Sequence, residues 1–388
     1  MNKILFIFSM LVITSACLRV DSSAQNKFKY AAIPDSLKKQ FAFNETKHTD
    51  RLWKEKKIYD LTKSLPSGYV TDASVDYTSY IQEGINNYDN VIFPDFPVLI
   101  NEKGISLRSN TIIKFSKNSK IILKPNALES YAILRIYNVS NVKLYSPVIV
   151  GDRLNHLGSK GEGGMGIRIS GAENIEIYNS QISQCWGDGI YISNNRNGIS
   201  KEIKIFNAWL DYNRRNGLTI TSGKNITVEN LISSNTLGTA PMSGLDIEPN
   251  NSKEAIDSIA ISNYCGFNNG TSTLQVGLSN LPDSLVKSVN ISINNVTSIN
   301  APYGLILGGF YDRGTAKVTG KIQIDDIHVI NAALLPIKIG RNYQYGPSVM
   351  LKNVVFIQQD SSGQKVLLDE AYRKFKSRIS SRVNTFIE

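Results

Sequence analysis

From Gly166 onward the chain alternates apolar and polar positions in short segments that a glycine usually opens. Gly166-Ile-Arg-Ile-Ser, Gly189-Ile-Tyr-Ile-Ser, Gly217-Leu-Thr-Ile-Thr, Gly244-Leu-Asp-Ile-Glu, Thr273-Leu-Gln-Val-Gly, Gly304-Leu-Ile-Leu-Gly and Pro336-Ile-Lys-Ile-Gly follow one another at spacings of 23, 28, 27, 29, 31 and 32 residues. A second series interleaves with them: Ile175-Glu-Ile-Tyr-Asn179, Ile203-Lys-Ile-Phe-Asn207, Ile226-Thr-Val-Glu-Asn230, Ile259-Ala-Ile-Ser-Asn263, Ile291-Ser-Ile-Asn-Asn295 and Ile322-Gln-Ile-Asp-Asp326. A period of two with aliphatics on one side predicts strands. Two short strands per repeat cannot bury an apolar face alone, but stacked repeats can. The pattern therefore predicts a parallel β-helix whose successive coils lie about 4.8 Å apart. Asn179, Asn207, Asn230, Asn263 and Asn295 then form a column at one corner, where stacked amides bond to each other and to the turn.

Upstream, Asp76 to Ile85 reads as a short amphipathic helix. The stretches "NVIFPDFPVLI" and "GISLRSNTIIKFSKNSKIILKP" follow as alternating strands. This order, with the repeats and the asparagine column, resembles the right-handed β-helix of the pectate lyase-like superfamily, including its polygalacturonases and pectate lyases, over roughly Tyr69 to Gln359. The resemblance implies an all-β, single-chain right-handed solenoid with an N-terminal helix cap and a C-terminal helix. That fold carries lyases, hydrolases, epimerases and non-enzymatic adhesins, so the reaction must be argued from the site. The paired-Asp and Gly-His-Gly motifs of polygalacturonases are absent, as are the clustered acids and catalytic arginine of pectate lyases. "NRRNGL" resembles the N-x-R-H-G segment of alginate-type epimerases, without their Tyr-Gly-Phe-Asp-Pro-His motif.

The ends have a different character. Met1-Asn2-Lys3, a ten-residue apolar run from Ile4 to Ile13, and Thr14-Ser15-Ala16-Cys17 predict a signal over 1–16 of the lipoprotein type, with Cys17 as the lipidated residue. Cleavage after Ala24 to give a soluble secreted protein is the alternative. Residues 17–63 read as tether and lead-in, 64–359 as the β-helix, and 360–388 as a C-terminal segment with a capping helix from Val366 to about Val383. The expected location is the outer membrane or periplasm of a Gram-negative bacterium, or the medium.

The formal charge of +10 is spread along the chain, without the basic runs of a nucleic-acid binder. A polysaccharide partner, acidic or neutral, fits it. Membrane contact is expected only through the lipid, and the protein is expected to be a monomer. Cys185 and Cys265 are read as lone buried thiols, not as zinc ligands. No metal site is expected and no cofactor is required, Ca²⁺ being the ion the resemblance admits.

Positions between the inward aliphatics form two outward columns. One runs Arg168, Tyr191, Thr219, Asp246, Gln275, Ile306, Lys338; the other runs Ser170, Ser193, Thr221, Glu248, Gly277, Gly308. Asp246 and Glu248 thus stand side by side on what is expected to be a solvent-facing wall, with Cα atoms about 6.5–7 Å apart. Paired carboxylates shift each other's pKa and can divide the roles of acid and base. Asp188, in "CWGDGI", falls at the corner two coils away and completes the candidate catalytic set. Substrate-binding candidates are Trp186 (expected as an exposed indole for a sugar ring), Tyr191, Arg168, and Arg214 and Arg215 between the acids. The Gly-rich insertion Gly151–Gly166 adds Arg153, His156 and Glu162, with His156 expected outside the core. These residues suit glycan hydrolysis. They also leave open elimination or C5-epimerisation of a uronate, with His156, Tyr191 or Arg215 as base, and non-catalytic glycan binding.

Overall fold

The computed structural model describes residues 29–40, 58–283, 286–310, 317–359, 362, 364–379 and 385–387. The signal, Cys17 and Ala24 lie outside the described residues.

The chain winds into a parallel β-solenoid of about nine turns. One wall is a nine-stranded parallel sheet: Ile105–Ser106, Ser130–Tyr137, Gly163–Ser170, Ile190–Ser193, Leu218–Ile220, Ser243–Ile247, Ser272–Val276, Tyr303–Leu307 and Leu335–Ile339. Consecutive strands pair in register along the whole outward column, Arg168 with Tyr191, then Thr219, Asp246, Gln275, Ile306 and Lys338. Leu218, Leu245, Leu274 and Leu305, one position earlier, pile inward with almost no exposure. A one-residue slip would turn every aliphatic outward, so core burial fixes the register.

The remaining sides belong to a second sheet of 17 strands among the described residues. Its long strands Lys201–Asp211, Gly223–Ser234, Ile256–Phe267, Lys287–Ile299, Val318–Ile330 and Ser348–Gln359 each bend near the middle, and four hold a further left-handed residue near their start, at Glu202, Asn225, Ser258 and Gly320. The bends fall at Asn207, Asn230, Asn263, Asn295, Asp326 and Asn353, with φ of 56°, 57°, 55°, 55°, 59° and 49°. Asparagine tolerates this left-handed conformation better than most side chains. Its amide then continues a ladder: Asn207 donates to Asn179, Asn230 to Asn207, Asn263 to Asn230 and Asn295 to Asn263, at 2.8, 2.8, 2.6 and 3.1 Å. A second corner repeats the device, with Asn268 donating to Asn235 at 2.7 Å and Asn331 to Asn300 at 3.1 Å.

The first solenoid strand is Tyr59–Asp60, pairing with Asn90–Ile92, so the coils begin inside the segment read as lead-in. Helix α1 (Asp35–Gln40) belongs to an N-terminal strap that crosses the outside of the coils. In that strap Ile33 packs on Ile232, Cys265 and Phe267, and Ala31 exchanges hydrogen bonds with the Asn235 side chain. Helix α2 (Thr78–Asn87) buries Ile81 and Ile85 over the first coil. Helix α3 (Asp369–Ile379) begins three residues later than expected. Lys365–Leu367 ahead of it pairs antiparallel with the last long strand, and Thr385–Ile387 behind it pairs in parallel. Cys185 and Cys265 are free and buried.

Candidate functional site

The carboxylates predicted from separate coils share one neighbourhood, around Arg215. Its Nη1 donates to Asp188 Oδ2 at 2.9 Å, and its Nε lies 3.5 Å from Glu162 Oε2. Asn216, next along the chain, ties the acids together. Its backbone N–H donates to Asp188 Oδ1 at 3.0 Å, and its side-chain Nδ2 donates to Asp246 Oδ2 at 3.1 Å and to Thr219 Oγ1 at 2.9 Å. The Asn216 Oδ1 accepts from Ser243 N–H at 2.9 Å. Asn216 occupies on its coil the place that Asp188 holds on the preceding one, each just ahead of a glycine, because Gly189 N–H bonds to the Asn216 carbonyl. That equivalence was the signal for Asn216, which the sequence reading passed over.

The wall is less open than expected, with Arg168, Tyr191 and Glu248 only partly exposed. Asp188 and Asp246 have 0% exposure, and Thr219, Thr221, Ser170, Ser193, Gln275 and Ile306 are buried too. The connecting segments fold back over the strands, which period-two alternation alone does not reveal. Asn250, four residues beyond Asp246, reaches back two coils to the Tyr191 hydroxyl at 3.4 Å. Glu248 is half-buried and bonded to Gln275 Nε2 at 3.4 Å, whereas Glu162 lies in the open.

Burial governs the protons. It pushes the Asp246 pKa well above the ordinary 3.8, Glu248 and Asp188 add to the rise, and Arg215 and the Asn216 amide pull against it. Glu248 is raised by burial, opposed by Arg215 and Gln275. Asp188 is raised by burial, with Arg215, Thr219 and Asn216 opposing. Burial works against charge on Arg215, but Asp188, Asp246, Glu162 and Tyr191 outweigh it and hold its proton more firmly than usual. Oδ1 of Asp246 is enclosed without a hydrogen-bond partner. Among the described residues no three His, Cys, Asp or Glu side chains group as metal ligands would, and the Arg215 guanidinium supplies the positive charge between the acids.

Trp186, His156, Arg214 and Arg153 pack together beside this cluster and serve to hold the 151–166 insertion down. The His156 side chain, expected outside the core, is fully buried: its ring stacks on Trp186 at 3.9 Å and its Nδ1 meets Asp152 Oδ2 at 2.8 Å. Trp186 is not an open platform. Arg214 covers it at 3.8 Å and its Nε1 donates to the Lys160 carbonyl. Arg214 also donates to the Gly161 carbonyl at 2.8 Å. Arg153 stacks on Tyr212 at 3.8 Å and donates to that residue's carbonyl at 2.6 Å. Two aromatic rings and buried Asp152 gave these residues partners that a loop reading does not supply. Tyr191 and Arg168 do stand on the acid wall, with Arg168 5.4 Å from the Tyr191 ring.

No protein-family model matches the chain. Among solved structures, the chain is similar to a 1,3-alpha-1,4-beta-D-galactose-4-sulfate-3,6-anhydro-D-galactose-2-sulfate 4 galactohydrolase, at a TM-score of 0.54 and 15% identity over 71% of each chain. It is also similar to the A-module of a mannuronan C-5 epimerase of Azotobacter vinelandii, at 0.51 and 14% over 78% of this chain and 87% of that one. An endo-xylogalacturonan hydrolase from Aspergillus tubingensis gives 0.52 and 14%, over 79% and 86%. The chain is a right-handed parallel β-helix. Identities this low carry the fold alone. Of curated proteins, it is 28% identical over 205 residues to the uncharacterized protein YclG of Bacillus subtilis (strain 168), covering 49% of this chain and 35% of that protein. It is 30% identical over 164 residues to the uncharacterized prophage-derived protein YorA of the same strain, covering 37% and 28%. The β-helix thus spans about a third of the length of these relatives.

Proposed function

We propose that this β-helix is a polysaccharide-cleaving enzyme of the hydrolase type, exported and held at a membrane surface through Cys17. The observation that carries the reading is the pair Asp246 and Glu248, side by side at the end of one strand with the Arg215 charge nearby, in a fold whose solved neighbours include a galactohydrolase and an endo-xylogalacturonan hydrolase. Glu248 is the half-buried member and the one a glycan can touch. Burial raises both carboxyls, and the Glu248 charge adds to the rise on Asp246, so the pair holds a proton above the pH at which a lone carboxyl would lose it. A carboxyl kept protonated above its ordinary range can donate to a departing glycosidic oxygen, and a neighbouring carboxylate can accept a proton from water. Asp188 acts through Arg215 and Asn216 as a positioning residue, since both its oxygens are already engaged.

Elimination or epimerisation of a uronate is the second reading. It is favoured by Tyr191, which stands between Arg168 and Arg215 where a base would meet a charge-neutralised sugar acid. Incubation with uronic, sulfated and neutral polysaccharides separates the two. New reducing ends without ultraviolet absorbance from an unsaturated sugar, lost in Glu248→Gln, support hydrolysis. Unsaturated products overturn hydrolysis in favour of elimination. Binding without any new ends, unchanged in Glu248→Gln, overturns both and leaves a glycan-binding module.

A further inference from the structure

Two arginines stand on adjacent rungs of the acid wall, upstream of Asp246. Arg135 is the in-register partner of Arg168, and both side chains are half-buried. Adjacent rungs are about 4.8 Å apart, so two cations here repel one another. Nevertheless neither forms an ion pair with a carboxylate among the described residues. Arg135 spends its Nε on the Ser106 hydroxyl at 2.9 Å, while Arg168 Nε is buried with no hydrogen-bond partner. The Tyr137 and Tyr191 rings flank Arg168 at 5.9 and 5.4 Å. Both guanidinium groups lie near the Tyr137 hydroxyl, where their charges oppose the rise in its pKa that burial causes. The acids of the cluster are taken up elsewhere: Asp188 and Glu162 pair with Arg215.

We propose that Arg135 and Arg168, with Tyr137 and Tyr191, form a subsite for an anionic substituent, a sulfate or carboxylate, on the polysaccharide whose cleavage Glu248 performs. The inference rests on the reading of Glu248 given above and adds the substrate class. Arg168, Tyr191, Thr219 and Asp246 are successive partners in the ladder, so the anion site lies three rungs, about 14 Å, from the acid pair. A chain laid along the wall places its charged group on the arginines and a glycosidic bond a few sugars further along at Glu248. Guanidinium suits either oxyanion because its fork donates two parallel hydrogen bonds.

The test uses the mature protein with dextran sulfate, polygalacturonate and unsubstituted dextran as probes. Binding is measured for the wild type, Arg135→Gln/Arg168→Gln and Glu248→Gln. A control, Lys117→Gln/Lys224→Gln, removes the same charge from exposed positions. The wild type is expected to prefer one of the two anionic polymers over dextran, and which one it prefers tells sulfate from carboxylate. The arginine double variant should lose about tenfold or more of that affinity, the worth of a charge-assisted hydrogen bond, with unchanged melting. The lysine control should bind as the wild type does, while Glu248→Gln should lose cleavage and keep its preference for the anionic polymer. Equal loss in the lysine control, full binding by the arginine variant, or no binding of either anionic polymer overturns the subsite. Cleavage by the wild type with full binding by the arginine variant sinks the subsite alone. Arginine-dependent binding without cleavage sinks the hydrolase reading alone.

Discussion

Asp246 shows how far a carboxyl is changed by its place on a coil. An aspartate in an unfolded chain releases its proton near 3.8, but here burial and Glu248 raise that value well above it. The folded state therefore binds the proton more tightly than the unfolded chain. Its contribution to stability is complete below the ordinary value and is lost as pH rises through the raised one. Asp246→Asn keeps the shape, can accept from Asn216 through its amide oxygen and carries no titrating charge. Between about pH 5 and about pH 8 its melting temperature should fall less than that of the wild type. At the upper pH it should melt about one degree higher, the change that about 1 kcal/mol makes in a chain of this size. Thermal melts at both pH values check this, and a variant that melts lower at the upper pH would contradict the protonated reading of Asp246.

The strand and its corner are the elements on which the coils depend. Asn230 sits in the left-handed region at φ 57°, donates to Asn207 and accepts from Asn263. Asn230→Gly keeps the backbone comfortable but removes two hydrogen bonds of about 0.5–1.5 kcal/mol each. Asn230→Ala removes the same bonds and adds about 1–2 kcal/mol for a Cβ in that region. Urea midpoints should rank wild type above Gly above Ala; Ala at or above Gly would show that the corner conformation is not what the asparagine serves. This corner was legible in the sequence because five asparagines recur at one offset from an aliphatic pair. The outward columns were legible too, since register follows from burying the aliphatics. Less was visible of the second corner, where Asn235, Asn268, Asn300 and Asn331 end strands of unequal length. The burial of Asp246, His156 and Trp186 was not visible, because it depends on segments that return across the wall from other coils.

For the whole molecule, stacked coils contact only their neighbours, so distant parts of the solenoid communicate little unless something spans them. The N-terminal strap does. Ile33 covers Cys265, whose thiol burial pushes up to about 12, and Asn268 Nδ2 donates to the Lys29 carbonyl at 2.9 Å. In a Cys17→Ser background, Ile33→Asp should release the strap and let a thiol reagent modify Cys265 while Cys185 stays protected. Labelling of both cysteines together would mean that the coils themselves had opened.

Along the same axis, the residues that matter for the proposed chemistry come from at least five coils: Arg135, Arg168, Tyr191, Arg215 and Glu248. The most direct test is a crystal structure of the Glu248→Gln variant soaked with an anionic oligosaccharide that the wild type cleaves. The account predicts a sugar chain lying along the nine-stranded wall, its charged group on Arg135 and Arg168 and a glycosidic oxygen at residue 248. An oligosaccharide bound on another side of the solenoid, with this wall unchanged, would contradict it.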